Sequence, residues 1–408
     1  MSPTVRDTPT AAAPMPPRVD ALDGLRGLAA FGVVVLHVWM FSYGDLHKPP
    51  KGFLDLVFGE FRLGVQLFFV LSGFLIYRPF VGAALDGRDG PRLGRYAIRR
   101  AARILPAYWA ALLGSFLLLR HLGHPMQIDA ARLPIFLLFA ENHFEETIKH
   151  LDPPMWTLAV EASFYATLPL AGALALRLGP HRARQLALCL APVVAGVACT
   201  VLSTTRAWPV TLSTSLLLHL TEFGAGMAVA TAVHGRRALG ARAAAALALA
   251  GAALVVANSA WHALTIGPQS LRSMVGDAPG IAGLALILVV LVAAPWRAPL
   301  LARGPARWLG TVSFGVYLAH FPVIVALRGT GHWPETLTRQ LLTVSALTLL
   351  AATLCWFLVE RPAIRWARRV TRRRGRPSAA PAPATQPHGH PRPRTPAPRV
   401  LRPRPAER

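Results

Sequence analysis

Residues 23–37 read Asp-Gly-Leu-Arg-Gly-Leu-Ala-Ala-Phe-Gly-Val-Val-Val-Leu-His. From Leu28 onward this is the first sustained apolar run, and it reads as the start of a membrane span, which needs about 20 apolar residues. The rest of the chain follows the same pattern. Hydrophobic residues make up 53% of the 408 and charged residues only 15%, against about 25% charged in an ordinary globular protein. Too few charges remain to coat the two or three soluble domains that the length would otherwise suggest.

Working outward from that stretch, sliding hydropathy marks ten spans: 24–43, 61–80, 104–121, 156–176, 186–203, 211–233, 243–262, 278–295, 308–327 and 337–358. Segment 132–140 is apolar but too short to cross and reads as a re-entrant or surface piece. The expected fold is therefore all-α, a polytopic integral membrane helical bundle of about ten transmembrane helices. The bundle occupies 20–362. A Pro/Ala-rich leader (1–19) and an Arg/Pro-rich cytoplasmic tail (363–408) are expected to be disordered, because neither can bury a core. The leader has no apolar stretch of its own, so no cleavable signal is expected and the first span acts as an uncleaved anchor. Cys189 and Cys199 lie ten residues apart on one helix, about 15 Å, too far to bridge. With Cys355 they form no metal spacing, and no metal is expected.

The net charge of +24 would point to nucleic acid in a soluble protein. Here topology accounts for it. With the N-terminus in the cytoplasm and ten alternating spans, the inner segments hold 33 of the 43 Lys and Arg, as the positive-inside rule requires. The N- and C-termini are both cytoplasmic in this reading. The basic start of the tail, from Arg361 to Arg374, should rest on anionic lipid headgroups rather than bind nucleic acid. The outer connection 121–155 carries Glu141, Glu145, Glu146 and Asp152, and reads either as the cover of an acceptor site or as a solvated loop.

Ionisable groups inside spans are costly, and each is a functional hypothesis. Arg26 and His37 are eleven residues apart, 20° past three full helical turns, so they share a face at about 16 Å separation along the axis. A cation at the inner edge and an imidazole deep in the bilayer suit a long ligand with a charged head and a reactive end. Arg99, Arg100 and Arg103 share a face at what reads as a helix N-terminus, where amides and guanidinium forks favour phosphate. Glu161 sits at the expected depth of His37, so a carboxylate–imidazole pair is geometrically available to fix the tautomer of a general base. His219 with Glu222, and Tyr317 with His320, are i,i+3 pairs on two other spans, each able to satisfy itself locally.

Taken in order, LDGLRGLAAFGVVVLH (22–37), FFVLSGFLI (68–76), RRAARILPAYW (99–109), WTLAVEASFY (156–165), SFGVYLAHFP (313–322) and VERPA (359–363) resemble the acyltransferase family 3 membrane proteins. The resemblance covers about residues 20–362. It implies acyl-CoA, acetyl-CoA foremost, as a cytosolic co-substrate, with His37 as base or acyl relay. It further implies that Arg26, Arg100 and Arg103, with Arg99 beside them, hold the donor. Ser72-Gly73 would let the backbone approach the pantetheine arm, and Tyr317 and His320 join the binding set. Larger relatives carry an appended extracellular esterase-like domain that is not seen here, which makes acceptors needing it less expected.

The implied reaction is O-acyl transfer to a hydroxyl of a sugar, glycolipid, exopolysaccharide unit or secondary metabolite. It requires a passage from the inner arginines to His37. The 40 Arg against 3 Lys and the abundant Ala fit a GC-rich bacterium, and so a multi-pass protein of a bacterial inner membrane. A proton-coupled transporter or flippase of a sugar or lipid conjugate is the competing reading, since buried His and Glu also build proton relays.

Overall fold

The computed structural model describes residues 20–43, 52–206, 208–264, 276–294 and 298–373. Among these described residues fourteen α-helices follow in chain order. They are α1 (Asp20–Ser42), α2 (Phe53–Glu60), α3 (Leu63–Leu85), α4 (Leu93–Leu122), α5 (Leu133–Leu137), α6 (Trp156–Leu178) and α7 (Arg182–Arg206). After these come α8 (Val210–Ser213), α9 (Leu220–Val233), α10 (Ala241–Leu264), α11 (Ala278–Ala293), α12 (Gly304–Gly329), α13 (Leu337–Cys355) and α14 (Arg361–Arg373). No strand occurs among the described residues.

Among the described residues nine helical segments are long and apolar enough to cross a membrane, and each matches one of the expected spans. The tenth, α11, has only 16 residues, about 24 Å of helix against a hydrocarbon core of about 30 Å. The chain is a polytopic helical membrane protein. Its periphery fits that setting: Leu249 on α10 and Val194 on α7 are 72% and 68% exposed, a placement that hydrocarbon rather than water makes favourable. The interior is centred on α3, whose Phe69, Val70, Phe74, Tyr77, Phe80 and Val81 are all buried.

Small residues allow the closest helix crossings, as in other membrane bundles. On α1, a Cβ at Gly27 would stand 2.7 Å from the backbone nitrogen of Gly310 on α12, and one at Gly310 would strike the Asp23 carbonyl. Between α3 and α9, Gly73 abuts the Phe223 backbone and Gly226 abuts that of Val70.

Three expected boundaries change. Helix α4 begins at Leu93, eleven residues before the expected span. Arg99, Arg100 and Arg103 therefore sit about 9–15 Å inside a continuous helix, and the free-amide argument for phosphate binding does not apply to them. The span at 211–233 is broken into α8, a 3-10 turn at Leu216–His219 and α9. The last span does not stop at 358: a π-helical turn, Trp356–Glu360, leads into α14, which runs to Arg373. Its Ala367 and Thr371 are buried, so the chain stays ordered past the expected boundary at 362. The expected leader (1–19) and the tail beyond Arg373 lie outside the described residues.

Candidate active site

Between α1, α3, α4, α6 and α12 lies a narrow cavity of about 100 Å³, tighter than an ordinary ligand pocket. Arg26, Arg100 and Arg103 line it, with Ser72, Glu161 and Tyr165 on its polar wall and Phe68, Thr157, Ser313 and Tyr317 also lining it. Residues far apart in the sequence thus meet in one space, because the five spans that carry them border the same cavity.

The three arginines differ in how they are held. Arg103 Nη1 donates to Glu360 Oε2 at 2.6 Å, and this carboxylate is fully buried. The Arg103 guanidinium also stands 5.9 Å from the ring centres of Phe314 and Trp356. Arg100 lies 5.3 Å over the Tyr165 ring. Among the described residues neither Arg26 nor Arg100 takes a carboxylate in an ion pair. Both are half-buried at the cavity wall with no carboxylate among the described residues bonded directly to them, so they suit an anionic ligand. Arg99 departs from its expected role: it does not line the cavity, and its Nε donates to Thr371 on α14 at 3.3 Å. One turn places it on the tail-helix side of α4.

Glu161 also departs from expectation. Its Oε1 accepts from Ser72 Oγ at 2.5 Å and from the Tyr165 hydroxyl, and no hydrogen bond joins it to His37. The carboxylate is committed to the cavity wall, where it holds the ring that underlies Arg100. Gly73 faces α9 rather than the cavity, so its missing side chain serves helix packing and not approach to a donor arm. Ser72, its neighbour, does line the cavity.

His37 and Arg26 lie on α1 as the spacing requires, but only Arg26 lines the cavity. His37 Nδ1 donates to the Val33 carbonyl at 2.9 Å. Its ring packs against His320, with centroids 4.8 Å apart, and edge-on to Phe321 at 6.5 Å. From the cavity the ring contacts run through Tyr317, which is 5.6 Å from His320, and only then to His37. The uninterrupted passage expected from the arginines to His37 is therefore not open: Tyr317, packed edge-on to Phe68 at 6.1 Å, and His320 stand between. The Tyr317 hydroxyl is held by Thr157 Oγ1 at 2.7 Å and the Pro154 carbonyl at 2.6 Å.

Glu360 and Thr157 lie inside VERPA and WTLAVEASFY without a sequence signal of their own for the cavity. An acidic residue entering a run of arginines is the available signal for the Glu360 ion pair. The i,i+4 spacing of Tyr165 from Glu161 is the sequence signal for their hydrogen bond. His219 and Glu222 do pair locally, Nδ1 to Oε1 at 3.2 Å. In the connection between α4 and α6, Glu145 and Glu146 are exposed, whereas Glu141 and Asp152 are buried. Burial raises the carboxyl of Glu141 to about 8, and it raises that of Asp152, which accepts from Ser115 Oγ at 3.2 Å.

Comparison with known proteins agrees with this picture. A family described as an acyltransferase domain matches residues 19–360. A putative peptidoglycan O-acetyltransferase of Bacillus subtilis is 26% identical over 381 residues, 84% of this chain and 54% of that protein. An acyltransferase of Streptomyces mycarofaciens is 28% identical over 217 residues, 51% of this chain and 53% of that one. A peptidoglycan O-acetyltransferase of Listeria monocytogenes is 24% identical over 366 residues, 84% of this chain and 55% of that protein. The chain thus spans about half the length of these curated relatives. No solved structure matches.

Proposed function

This chain belongs to the acyltransferase 3 family, and from that premise we propose that it transfers an acyl group, acetyl foremost, from cytosolic acyl-CoA to a hydroxyl of a glycan, glycolipid or secondary metabolite. The observation that carries the reading is the set of guanidiniums at the cavity, Arg26, Arg100 and Arg103, of which, among the described residues, Arg103 alone bonds a carboxylate. Phosphate oxygens supply the anion that Arg26 and Arg100 lack, and a guanidinium fork binds them in two places at once. The acyl-pantetheine arm then occupies the apolar remainder of the cavity, along Leu71, Leu75 and Ile104.

The Val33 carbonyl holds the proton of His37 on Nδ1, which leaves Nε2 as the basic nitrogen. The acceptor hydroxyl gives its proton to Nε2 while its oxygen attacks the thioester carbonyl. The carbon–sulfur bond breaks, and the leaving thiolate takes the proton. For the thioester to meet His37, the Phe68–Tyr317 ring pair has to swing aside, which makes its movement the step that admits the donor. Glu161 keeps Ser72 and Tyr165 in place at the donor wall, so its part is to position rather than to abstract a proton.

The protein works in a bacterial inner membrane with both termini in the cytoplasm, where the donor is found. Relatives named as peptidoglycan O-acetyltransferases favour a glycan acceptor, although each is about twice the length that this chain matches. Purified protein in vesicles, given acyl-CoA, should release free thiol only when an acceptor is added, and His37→Ala should abolish that release. Uptake driven by a proton gradient, without thiol release, would favour transport instead.

A further inference from the structure

His320 is fully buried on α12, and its Nδ1 meets the Tyr317 carbonyl within hydrogen-bond distance. A carbonyl oxygen can only accept, so Nδ1 carries the hydrogen and Nε2 is left with a lone pair. That Nε2 is buried and has no partner among the described residues. Leaving a buried acceptor unpaired costs about 1–3 kcal/mol, and such an atom calls for a reason. His37 repeats the arrangement one helix away: Nδ1 donates to the Val33 carbonyl, so its Nε2 is likewise an acceptor. The two rings stand 4.8 Å apart at 60°, and among the described residues no carboxylate bonds to either. Between them the pair is short of one hydrogen.

We propose that His320 is the positioning residue of His37, and that the two Nε2 atoms, not bonded to each other in the resting protein, close on the proton released by the acceptor hydroxyl and share it. The proposal rests on the acyl-transfer reading above. As the hydroxyl oxygen bonds to the thioester carbon, its proton passes to His37 Nε2, and the His320 lone pair stabilises the imidazolium formed. When the carbon–sulfur bond breaks, the same proton leaves for the thiolate, giving free thiol and ester with both rings neutral again. His320 thus does for His37 what a carboxylate was expected to do. A second neutral imidazole suits a dry interior better than a carboxylate, because it adds no permanent charge to be desolvated.

The test compares His320→Leu, which keeps bulk but has no lone pair, with His320→Gln, whose amide oxygen restores an acceptor. Full-length protein in lipid nanodiscs is assayed by thiol release, normalised to folded protein. His320→Leu should lose about tenfold in kcat with KM for acyl-CoA within about twofold, and His320→Gln should regain part of the loss. Equal losses in both variants, full activity in His320→Leu, or a joint change of kcat and KM overturns the proposal. Nitrogen-15 spectra of histidine-labelled wild-type protein provide a readout that needs no turnover. Both rings should appear as Nδ1–H tautomers, and His320→Gln should shift the His37 Nε2 signal. An Nε2–H tautomer at either ring overturns the pairing. Wild-type protein without turnover would sink the acyl-transfer reading, while the spectra still decide whether the two rings are paired.

Discussion

At the scale of the residue, the cavity depends on carboxylates that act on arginines rather than on substrate. Glu360 is fully buried, holds Arg103 with one oxygen and leaves the other without a partner. Glu360→Gln keeps shape but removes the charge that fixes the fork, so KM for acyl-CoA should rise about tenfold with kcat little changed, measured by thiol release. An unchanged KM would mean that Arg103 is held by Phe314 and Trp356 alone. Glu141 supports a prediction of the opposite kind. Burial raises its carboxyl to about 8, whereas an unfolded glutamate titrates near its ordinary value of about 4.3. The folded state therefore favours the protonated form: its stability contribution is complete below about pH 4.3 and is lost as pH rises toward and through 8. Glu141→Gln should raise the melting temperature at pH 8 and leave it nearly unchanged at pH 4, and a shift of equal size at both values would argue against titration as the cause.

At the scale of the element, backbone proximity sets the geometry. Gly310 lets α12 lie against Asp23 at the start of α1, which brings the helix of Tyr317 and His320 onto the helix of Arg26 and His37. Gly310→Val should push the two apart, lowering stability by about 1–3 kcal/mol or more through overpacking and reducing turnover per folded molecule, read by thermal unfolding alongside thiol release. Gly304, at the N-terminus of the same helix with open space around it, should tolerate Ala. The spans themselves were legible from hydropathy, since lipid demands about 20 apolar residues whatever they pack against. Helix ends were less so. The stretch 93–103 read as a connection because it is rich in arginine, yet Tyr96, Ile98, Ala102 and Ile104 continue the helix of α4. Arg26 and His37 on one face followed from the 100° turn. Their different surroundings did not, because whether Tyr317 and His320 intervene depends on how α12 crosses α1, and no local pattern encodes that. Glu161 shows the same limit: matching depth allowed a partner in His37, but lateral position in the bundle assigned it to Ser72 and Tyr165.

At the scale of the whole molecule, the chemistry depends on which way the bundle faces. The connection between α9 and α10 exposes Arg236 and Arg237, and the one between α4 and α6 exposes Glu145 and Glu146. Basic residues stay inside, so the first connection should face the cytoplasm and the second should face out. With Cys189 buried and Cys199 and Cys355 only partly exposed, a cysteine at Glu145 or Arg236 can be told from background by an impermeant maleimide. In intact cells Glu145→Cys should be labelled and Arg236→Cys should not, and permeabilisation should bring the second up to the level of the first. The reverse pattern would turn the cavity arginines outward, where no acyl-CoA is available. The donor site would then have to serve some other anion, and the case for acyl transfer from a cytosolic thioester would fall with it.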